Sequence, residues 1–522
     1  MMKLAQISRT IIGLLLLGVV ACGSAETAVP TVEPLIILAP TDVVKATTVP
    51  ASPTPLPATV TPTPESSPTS VPTVTSEPAV ASVTPQPEPT TDPIAETKLS
   101  RYHIAVTLDY EQRTAEIVQT VDYVNLTGRR LDDILFVVEP HRLSDVFVLH
   151  WLQVGEVAEA ADYLLDNGRL QVTLSRPLPA TESIQITFAY TLRIPEQPRP
   201  FGVSGGQLNL GDWYPMIPPY RPDQGWIVAE PANVGEHVSY DTADFLVDLS
   251  VLGGRTDLEL AASGAISSMA EGQYRISAKQ ARNMTLVLSP DLLVERETVA
   301  GVEVASYFLA SEQEAGRDAL YATVDALLIY NDLFGPYPHD TLSVVSANLV
   351  DGREFDGLVF VDRDLYTAYR GQANSYLIAI TVHEVAHQWW YGAVGNDQAV
   401  EPWLDEALAT YSELLFYETR YPEVVLWWWE TRVERFSSDR SVGNSIYGRF
   451  DFNSYVSTVY LRGAKFLHEL RAQIGTEAFL TTLKLYRQEH QGEVATAEQF
   501  FATLQTYTEQ DLSTLRRKYF TE

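Results

Sequence analysis

The residues best suited to chemistry in this chain form one short pattern, His383-Glu384-Val385-Ala386-His387. A helix advances about 100° per residue, so on a helix the two histidines would project from one face, one turn apart. Two neutral imidazoles placed in this way can bind one zinc ion. Glu384 leaves the same helix beside them and could take a proton from water on that metal. The pattern therefore predicts a hydrolytic zinc site, on a helix that Gly392 could end.

A zinc ion with an open fourth position needs a third protein ligand. Glu406 lies nineteen positions after His387 and opens a second run of apolar residues at helical spacing, 407–417. We therefore predict that Glu406 is the third ligand. An acidic residue at the start of such a run can also serve only as a first-turn cap, and the residues alone leave that alternative open.

The flanks of both pieces resemble a known family. The stretch HEVAHQWW at 383–390 is similar to HE-x-AHQW, and WLDEALATYSE at 403–413 is similar to WL-[ND]-EG-x-A-x-Y-x-E, both typical of the aminopeptidase N family (peptidase family M1). The resemblance implies a gluzincin zinc metallopeptidase with one Zn²⁺ per chain and peptides as substrates. It also implies an α+β multidomain fold, in which a saddle-like all-β domain precedes a thermolysin-like, mainly helical catalytic domain.

A second resemblance concerns Glu354. The segment 351–358, DGREFDGL, aligns with the G-x-M-E-N loop of the family, because Glu354 lies three residues before Gly357, as the family's Glu does. The resemblance implies that Glu354 binds the free α-amine of the substrate, and a buried ammonium does need an anionic partner. Arg353 and Phe355 stand where the family usually has Met and Asn or Tyr. Strict aminopeptidase specificity therefore does not follow, and a solvated loop carboxylate is the alternative.

Tyr460 begins the sequence Tyr-Leu-Arg-Gly, shortly after Tyr455. It resembles the family's Tyr-x-x-Gly, whose tyrosine stabilises the oxyanion, since a phenol can donate a hydrogen bond to a developing alkoxide. The resemblance implies this role for Tyr460. A tyrosine that only packs in front of a helix is the alternative.

The amino terminus has the pattern of a signal peptide. Lys3 and Arg9 precede an apolar run, 11–20, that is shorter than a typical membrane span. The run ends in Val-Val-Ala-Cys, which resembles a bacterial lipobox in which Cys22 becomes the lipidated amino terminus. Cys22 is the only cysteine, so no intrachain disulfide can form. We expect 1–22 to be a lipoprotein signal peptide and the protein to be anchored to a membrane outside the cytoplasm. A plain secreted protein is the alternative.

Three further segments follow from composition and periodicity. Residues 23–97 hold about half of the chain's 32 prolines, which predicts a disordered, Pro/Thr/Ser-rich tether. Period-2 alternation predicts an all-β domain over 98–300, and helical spacing predicts a mainly helical region after it. The resemblance implies that 301–522 is the zinc metallopeptidase catalytic domain. Within the latter we expect helices over 307–332, 464–475, 477–490 and 496–519.

The formal net charge of −31 argues against nucleic-acid binding, which needs a basic face. The sequence thus favours a zinc peptide hydrolase that removes amino-terminal residues. Two alternatives stay open: an endopeptidase or other hydrolase on the same site, and a non-catalytic envelope binding protein that contains zinc. The oligomeric state does not follow from the sequence.

Overall fold

The structure is a computed structural model, and it describes residues 99–155 and 162–521. The predicted signal peptide, Cys22 and the predicted tether lie outside these residues. Among the described residues, no helix combines the length and the apolar character that a membrane crossing requires.

Strands dominate the amino-terminal half, and their burial alternates with the expected period of two. In β1, residues such as Ile104 and Val106 are buried, whereas His103 and Ala105 between them are exposed. The strands of this half are β1 (Arg101–Asp109), β2 (Thr114–Val124), β3 (Leu131–Val137), β4 (Phe147–Val154), β5 (Tyr163–Asp166), β6 (Arg169–Leu178), β7 (Ser183–Arg193), β8 (Phe201–Ser204), β9 (Gln207–Leu210), β10 (Tyr220–Arg221), β11 (Gly225–Trp226), β12 (Ala243–Val251), β13 (Glu259–Ala262), β14 (Ala265–Ala270), β15 (Gln273–Ala281) and β16 (Leu286–Ser289).

These strands form a seven-stranded sheet in the order β14-β15-β12-β1-β2-β7-β4, a four-stranded sheet β13-β16-β9-β8, a three-stranded sheet β3-β6-β5 and the hairpin β10-β11. The pair β1–β12 is parallel, and the other pairs are antiparallel. One hydrophobic core takes side chains from the three larger sheets, for example Ile104, Phe136 and Leu208. This half is therefore held together as one β domain.

The carboxy-terminal half combines a five-stranded sheet, in the order β17-β18-β19-β21-β20, with a layer of helices. The elements are β17 (Leu292–Val299), β18 (Val302–Leu309), α1 (Gln313–Phe334), β19 (Thr341–Ala347), β20 (Gly352–Phe355), β21 (Leu358–Asp362), α2 (Arg363–Ala368), α3 (Tyr376–Ala386), β22 (Gly395–Asn396), α4 (Trp403–Arg420), α5 (Val425–Trp427), α6 (Phe452–Val456), α7 (Arg462–Ile474), α8 (Thr476–Glu489), β23 (Val494–Ala495), α9 (Ala497–Thr506) and α10 (Ser513–Phe520). Two π-helical turns, Trp428–Val433 and Ser457–Leu461, follow α5 and α6. The strand β20 is one of the two edge strands of this sheet.

The order of a β-rich half and then a mainly helical half is as predicted, but two local expectations were wrong. Residues 307–309 belong to β18, where antiparallel pairing with β17 holds their backbone, so the first long helix begins at Gln313. The helix expected over 496–519 is interrupted between Thr506 and Ser513 and forms α9 and α10. The five-stranded sheet begins at Leu292, eight residues before the domain boundary that the sequence predicts at residue 300.

Candidate metal centre

The helix α3 carries the first two candidate ligands. The side chain of Ser375 caps it by accepting a hydrogen bond from the backbone N–H of Ile378. The regular helix ends at Ala386, earlier than the expected Gly392, because the next backbone N–H groups make tighter turn bonds. His387 still has helical backbone angles, φ −61° and ψ −14°. Its ring therefore stays on the same face as the ring of His383.

The helix α4 packs against α3 and supplies two buried carboxylates, Glu406 and Glu413. They are seven residues apart, which is about two helical turns, so both project toward α3. Glu406 lies in the first turn, where a cap was the alternative interpretation. Its side chain instead turns toward the two histidines.

The three predicted ligands converge. The Nε2 atoms of His383 and His387 lie 3.2 Å apart, and Glu406 Oε2 lies 3.4 Å from each of them. All three side chains are buried. Glu406 Oε2 has no hydrogen-bond partner among residues 99–155 and 162–521. A buried carboxylate oxygen without a donor is costly unless a cation is close, so the donor set fits a divalent metal ion.

The outer nitrogen of each imidazole is already engaged. His383 Nδ1 lies 2.9 Å from Glu413 Oε1, and His387 Nδ1 lies 3.0 Å from the backbone oxygen of Trp390. Both partners accept hydrogen bonds, so each ring donates from Nδ1 and keeps the lone pair of Nε2 facing inward. This is the arrangement that metal-binding histidines use.

The electrostatics of the centre point to one shared positive charge. Burial acts to lower the pKa of His383, but the nearby carboxylates of Glu406 and Glu413 raise it to about 9. The pKa of His387 also rises well above its ordinary value against the effect of burial, mainly through Glu406. Burial acts to raise the pKa of Glu406, yet the two imidazoles hold it far below its usual range. The three groups together therefore attract a proton or a metal ion.

Glu384 lies beside the ligands and is 5% exposed. Burial raises the pKa of its carboxyl to about 8, and the two imidazoles oppose that rise. Its Oε2 has no hydrogen-bond partner in the described part of the chain. Gly352 in β20 packs against this carboxylate so closely that a Cβ there would overlap it. The edge strand thus fixes where Glu384 stands.

Glu354 is buried rather than solvated, at 4% exposure. Its Oε1 accepts a hydrogen bond of 2.9 Å from Gln398, and ligand atoms of Glu354, Glu384 and His387 lie within 4.8 Å of one another. Glu354 is therefore part of the same site. Arg353, which departs from the family pattern, pairs with Glu236, a residue of the β domain that lines the same cavity.

Tyr460 reaches the centre from the π-helical turn Ser457–Leu461. Its hydroxyl donates a hydrogen bond of 2.5 Å to Glu406 Oε1, and its ring lies nearly parallel to that of His383. Tyr455 lines the same cavity, and its buried hydroxyl has no partner within the described residues. Two phenols thus face the site, of which the sequence motif singled out Tyr460.

These groups line a cleft cavity of about 120 Å³. Among the charged residues there or directly behind it, sequence reasoning assigned no role to Glu236, Asp351, Glu413 and Arg432. The position of Glu413, two turns after Glu406 on one helix, was a signal that could have found it. Glu236 comes from the β domain and Arg432 from an irregular turn, and no local pattern marks either residue.

Comparison with known proteins agrees with this geometry. Residues 319–519 match the family model described as the peptidase family M1 domain. Aminopeptidase M1-D of Oryza sativa subsp. japonica is 27% identical over 228 residues, which are 41% of this chain and 26% of that protein. Human endoplasmic reticulum aminopeptidase 1 is 25% identical over 236 residues, 42% of this chain and 25% of that protein. The chain thus matches about a quarter of the length of these relatives.

A solved structure shows the same fold over a longer range. The M1 zinc metallopeptidase of Deinococcus radiodurans superposes with a TM-score of 0.58 at 20% identity, covering 81% of this chain and 94% of the other. The predicted fold class, a β domain followed by a mainly helical domain, is confirmed by this match. Residues 319–519 are thus similar in sequence to a peptidase family M1 domain, and the described part of the chain has the fold of a solved M1 zinc metallopeptidase.

Proposed function

We propose that this chain is a zinc-dependent peptide hydrolase that removes amino-terminal residues from peptides. The observation that carries the proposal is the convergence of His383, His387 and Glu406 on one point beside Glu384. Two imidazole nitrogens and one carboxylate are a donor set of catalytic zinc sites with an open position. Zinc held there supplies Lewis-acid polarisation of a carbonyl and makes water nucleophilic near neutral pH.

Glu384 acts as the general base in this proposal. A base must stand within hydrogen-bond reach of the water it deprotonates, and Glu384 has a free oxygen next to the ligand atoms. A nearby cation lowers the pKa of a carboxyl, which would bring Glu384 from about 8 into a range where it accepts protons at neutral pH. It then passes the proton to the leaving amine.

Tyr460 donates a hydrogen bond to the oxyanion. Its hydroxyl already lies at the centre, on Glu406 Oε1, and burial holds its pKa well above the ordinary value, so the phenol keeps its proton. A donor held close to the developing charge stabilises the transition state.

Glu354 binds the α-ammonium group of the substrate. The buried carboxylate needs a cationic partner beyond the neutral amide of Gln398. The pairing of Arg353 with Glu236 leaves Glu354 free for this role. One fixed anion at the end of the cleft makes the enzyme select a free amino terminus. In line with peptide substrates, a mutant of the Deinococcus radiodurans enzyme has been crystallised with a bound Tyr-Ser-Ala substrate.

We propose that the protein works outside the cytoplasm, anchored by lipid on Cys22. The support is the sequence of 1–22 alone, with its basic start, apolar run and terminal cysteine. Membrane fractionation of cells that express the parent or Cys22→Ser tests this. The parent should sediment with membranes and the variant should not, and equal sedimentation would contradict the anchor.

The decisive assay compares peptides with free and with acetylated amino termini, before and after chelation and with zinc added back. We expect hydrolysis only of the peptides with free amino termini. This activity should be lost when a chelator is added and should return when zinc is added back. Equal rates on both sets would identify an endopeptidase. Zinc content without hydrolysis across a broad peptide library would identify a binding protein.

A further inference from the structure

The cleft cavity is lined by several carboxylates but, within the described residues, by a single Lys or Arg side chain, Arg432. It lies in the π-helical turn Trp428–Val433, which follows α5. Such turns are rare and occur often at functional sites. The turn places a guanidinium on the wall of the cavity that also contains His383 and Glu384.

The guanidinium is held in one orientation. Its Nε and Nη2 donate to the two carboxylate oxygens of Glu413, at 3.1 and 3.0 Å. Glu413 also accepts hydrogen bonds from Trp428 Nε1, at 2.8 Å, and from His383 Nδ1. The carboxylate is thus fully engaged, and it keeps Arg432 rigid. A donor fixed in advance binds its ligand at a lower entropic cost.

One nitrogen of Arg432 remains available. Nη1 makes no hydrogen bond to the residues at 99–155 and 162–521, and the side chain is 11% exposed toward the cavity. Asp351 also lines the cavity, yet it is not within ion-pair distance of Arg432. Arginine suits carbonyl and carboxylate oxygens because its planar fork presents several donors.

The position of Arg432 gives it a place along the substrate. Glu354, the proposed partner of the α-ammonium, lies close to His387. Arg432 lies instead behind Glu413, on the side of His383. Glu354 is therefore next to one histidine, and Arg432 is linked through Glu413 to the other. A peptide with its amino end on Glu354 would extend toward Arg432 after the scissile bond.

We propose that Arg432 binds an acceptor oxygen of the residue that follows the scissile bond. In a longer peptide this is the carbonyl oxygen of that residue, and in a dipeptide it is the terminal carboxylate. This specificity role rests on the proposed aminopeptidase function. It predicts a preference for true peptides over aminoacyl arylamides, which have no such oxygen.

The test compares a dipeptide, the same dipeptide amide and an aminoacyl p-nitroanilide with the same first residue, on the parent and Arg432→Gln. Hydrogen bonds to charged groups contribute enough for the kcat/KM of the dipeptide to fall about 10- to 100-fold. The p-nitroanilide should change less than about 3-fold. An equal loss on dipeptide and amide assigns the carbonyl oxygen, and a larger loss on the dipeptide assigns the carboxylate.

Equal losses on all three substrates would overturn the proposal, because Arg432 would then act only through Glu413 and His383. An unchanged dipeptide rate would overturn it as well. Arg435→Gln is the matched control, since Arg435 is exposed, three residues away and outside the cavity lining. Arg432→Lys keeps the charge and gives the same comparison if the Gln variant does not fold. A parent that hydrolyses none of the substrates would count against the aminopeptidase function instead.

Discussion

At the scale of single residues, the centre depends on two oxygen atoms that lack partners within the described residues, Glu406 Oε2 and Glu384 Oε2. The first faces two imidazole nitrogens and is suited to a cation. The second lies beside them and is suited to a proton. One carboxylate can therefore bind the metal while the other does the proton transfer, although both are glutamates of the same cleft.

Glu384→Gln separates these two roles. The amide keeps the size of the side chain and leaves all three ligands in place, but it cannot accept the proton. We expect zinc stoichiometry and thermal stability close to those of the parent, with a kcat about 10²- to 10⁴-fold lower. Steady-state kinetics beside metal analysis measures both. A variant with the parent's rate would rule out Glu384 as the base.

The sequence predicted the candidate ligands but not the residues that support them, and the reason is physical. His383, Glu384, His387 and Glu406 lie within one continuous stretch, where helical geometry alone brings them close. The partner of Glu413, by contrast, comes from a π-helical turn, a class of turn whose start no simple residue pattern marks.

At the scale of elements, the edge strand β20 and the helix α3 meet where Gly352 contacts Glu384. The backbone angles of Gly352 are ones that any residue adopts, so the glycine is required for space and not for conformation. The strand thus limits the positions that the carboxylate of Glu384 can take. The same strand carries Glu354. One element therefore positions both Glu384, the proposed base, and Glu354, the proposed partner of the α-ammonium group.

Gly352→Ala should displace Glu384 without removing a ligand. Its Cβ would overlap the carboxylate, so we expect kcat/KM to fall at least about 100-fold, as for other losses of a positioned group, with zinc content retained. Ser267→Ala is the control, because Ser267 is an exposed residue of β14 outside the cavity lining. Parent-like activity of Gly352→Ala would show that the strand does not position the base.

At the scale of the whole molecule, the β domain also supports the centre. Arg282, at the end of β15, donates from Nε to the backbone oxygens of Tyr391 and Gly392, at 2.5 and 2.8 Å, just after the metal-binding helix. Its backbone N–H donates to Asp356, whose carboxylate also bonds His339 Nε2 at 2.8 Å. The two halves described between residues 99 and 521 are thus joined through buried charges next to the site.

The pair of His339 and Asp356 predicts a pH-dependent stability. Burial acts to lower the pKa of His339, but Asp356 raises it above the ordinary value. The charged His339 therefore stabilises the fold fully below about pH 6.5, and this stabilisation is lost as pH rises through the raised pKa. Burial acts to raise the pKa of Asp356, but His339 lowers it. The stabilisation that the charged Asp356 contributes is therefore lost as pH falls below about 3.9.

The free energies of unfolding of the parent and His339→Gln, obtained from melting curves, should therefore differ most between about pH 4 and 6.5. The difference there should be about 1 to 3 kcal/mol. The gap should narrow toward pH 9. A gap that stays constant with pH would contradict an ion pair.

The domain order was predictable because alternation with period two and helical spacing mark the two halves over long stretches. The way in which the two halves join was not predictable from the sequence. It depends on contacts such as that of Arg282 with Tyr391, which are 109 residues apart in sequence. The first strand of the five-stranded sheet, β17, also looks like the strands before it and pairs only with those after it.

Anomalous diffraction at the zinc edge, from crystals of Glu384→Gln grown with zinc, shows where the metal binds. We expect one zinc peak per chain, about 2.0 to 2.2 Å from Nε2 of His383, Nε2 of His387 and a carboxylate oxygen of Glu406. A zinc peak elsewhere, no zinc peak, or a Glu406 carboxylate more than about 3 Å from the metal would contradict this expectation.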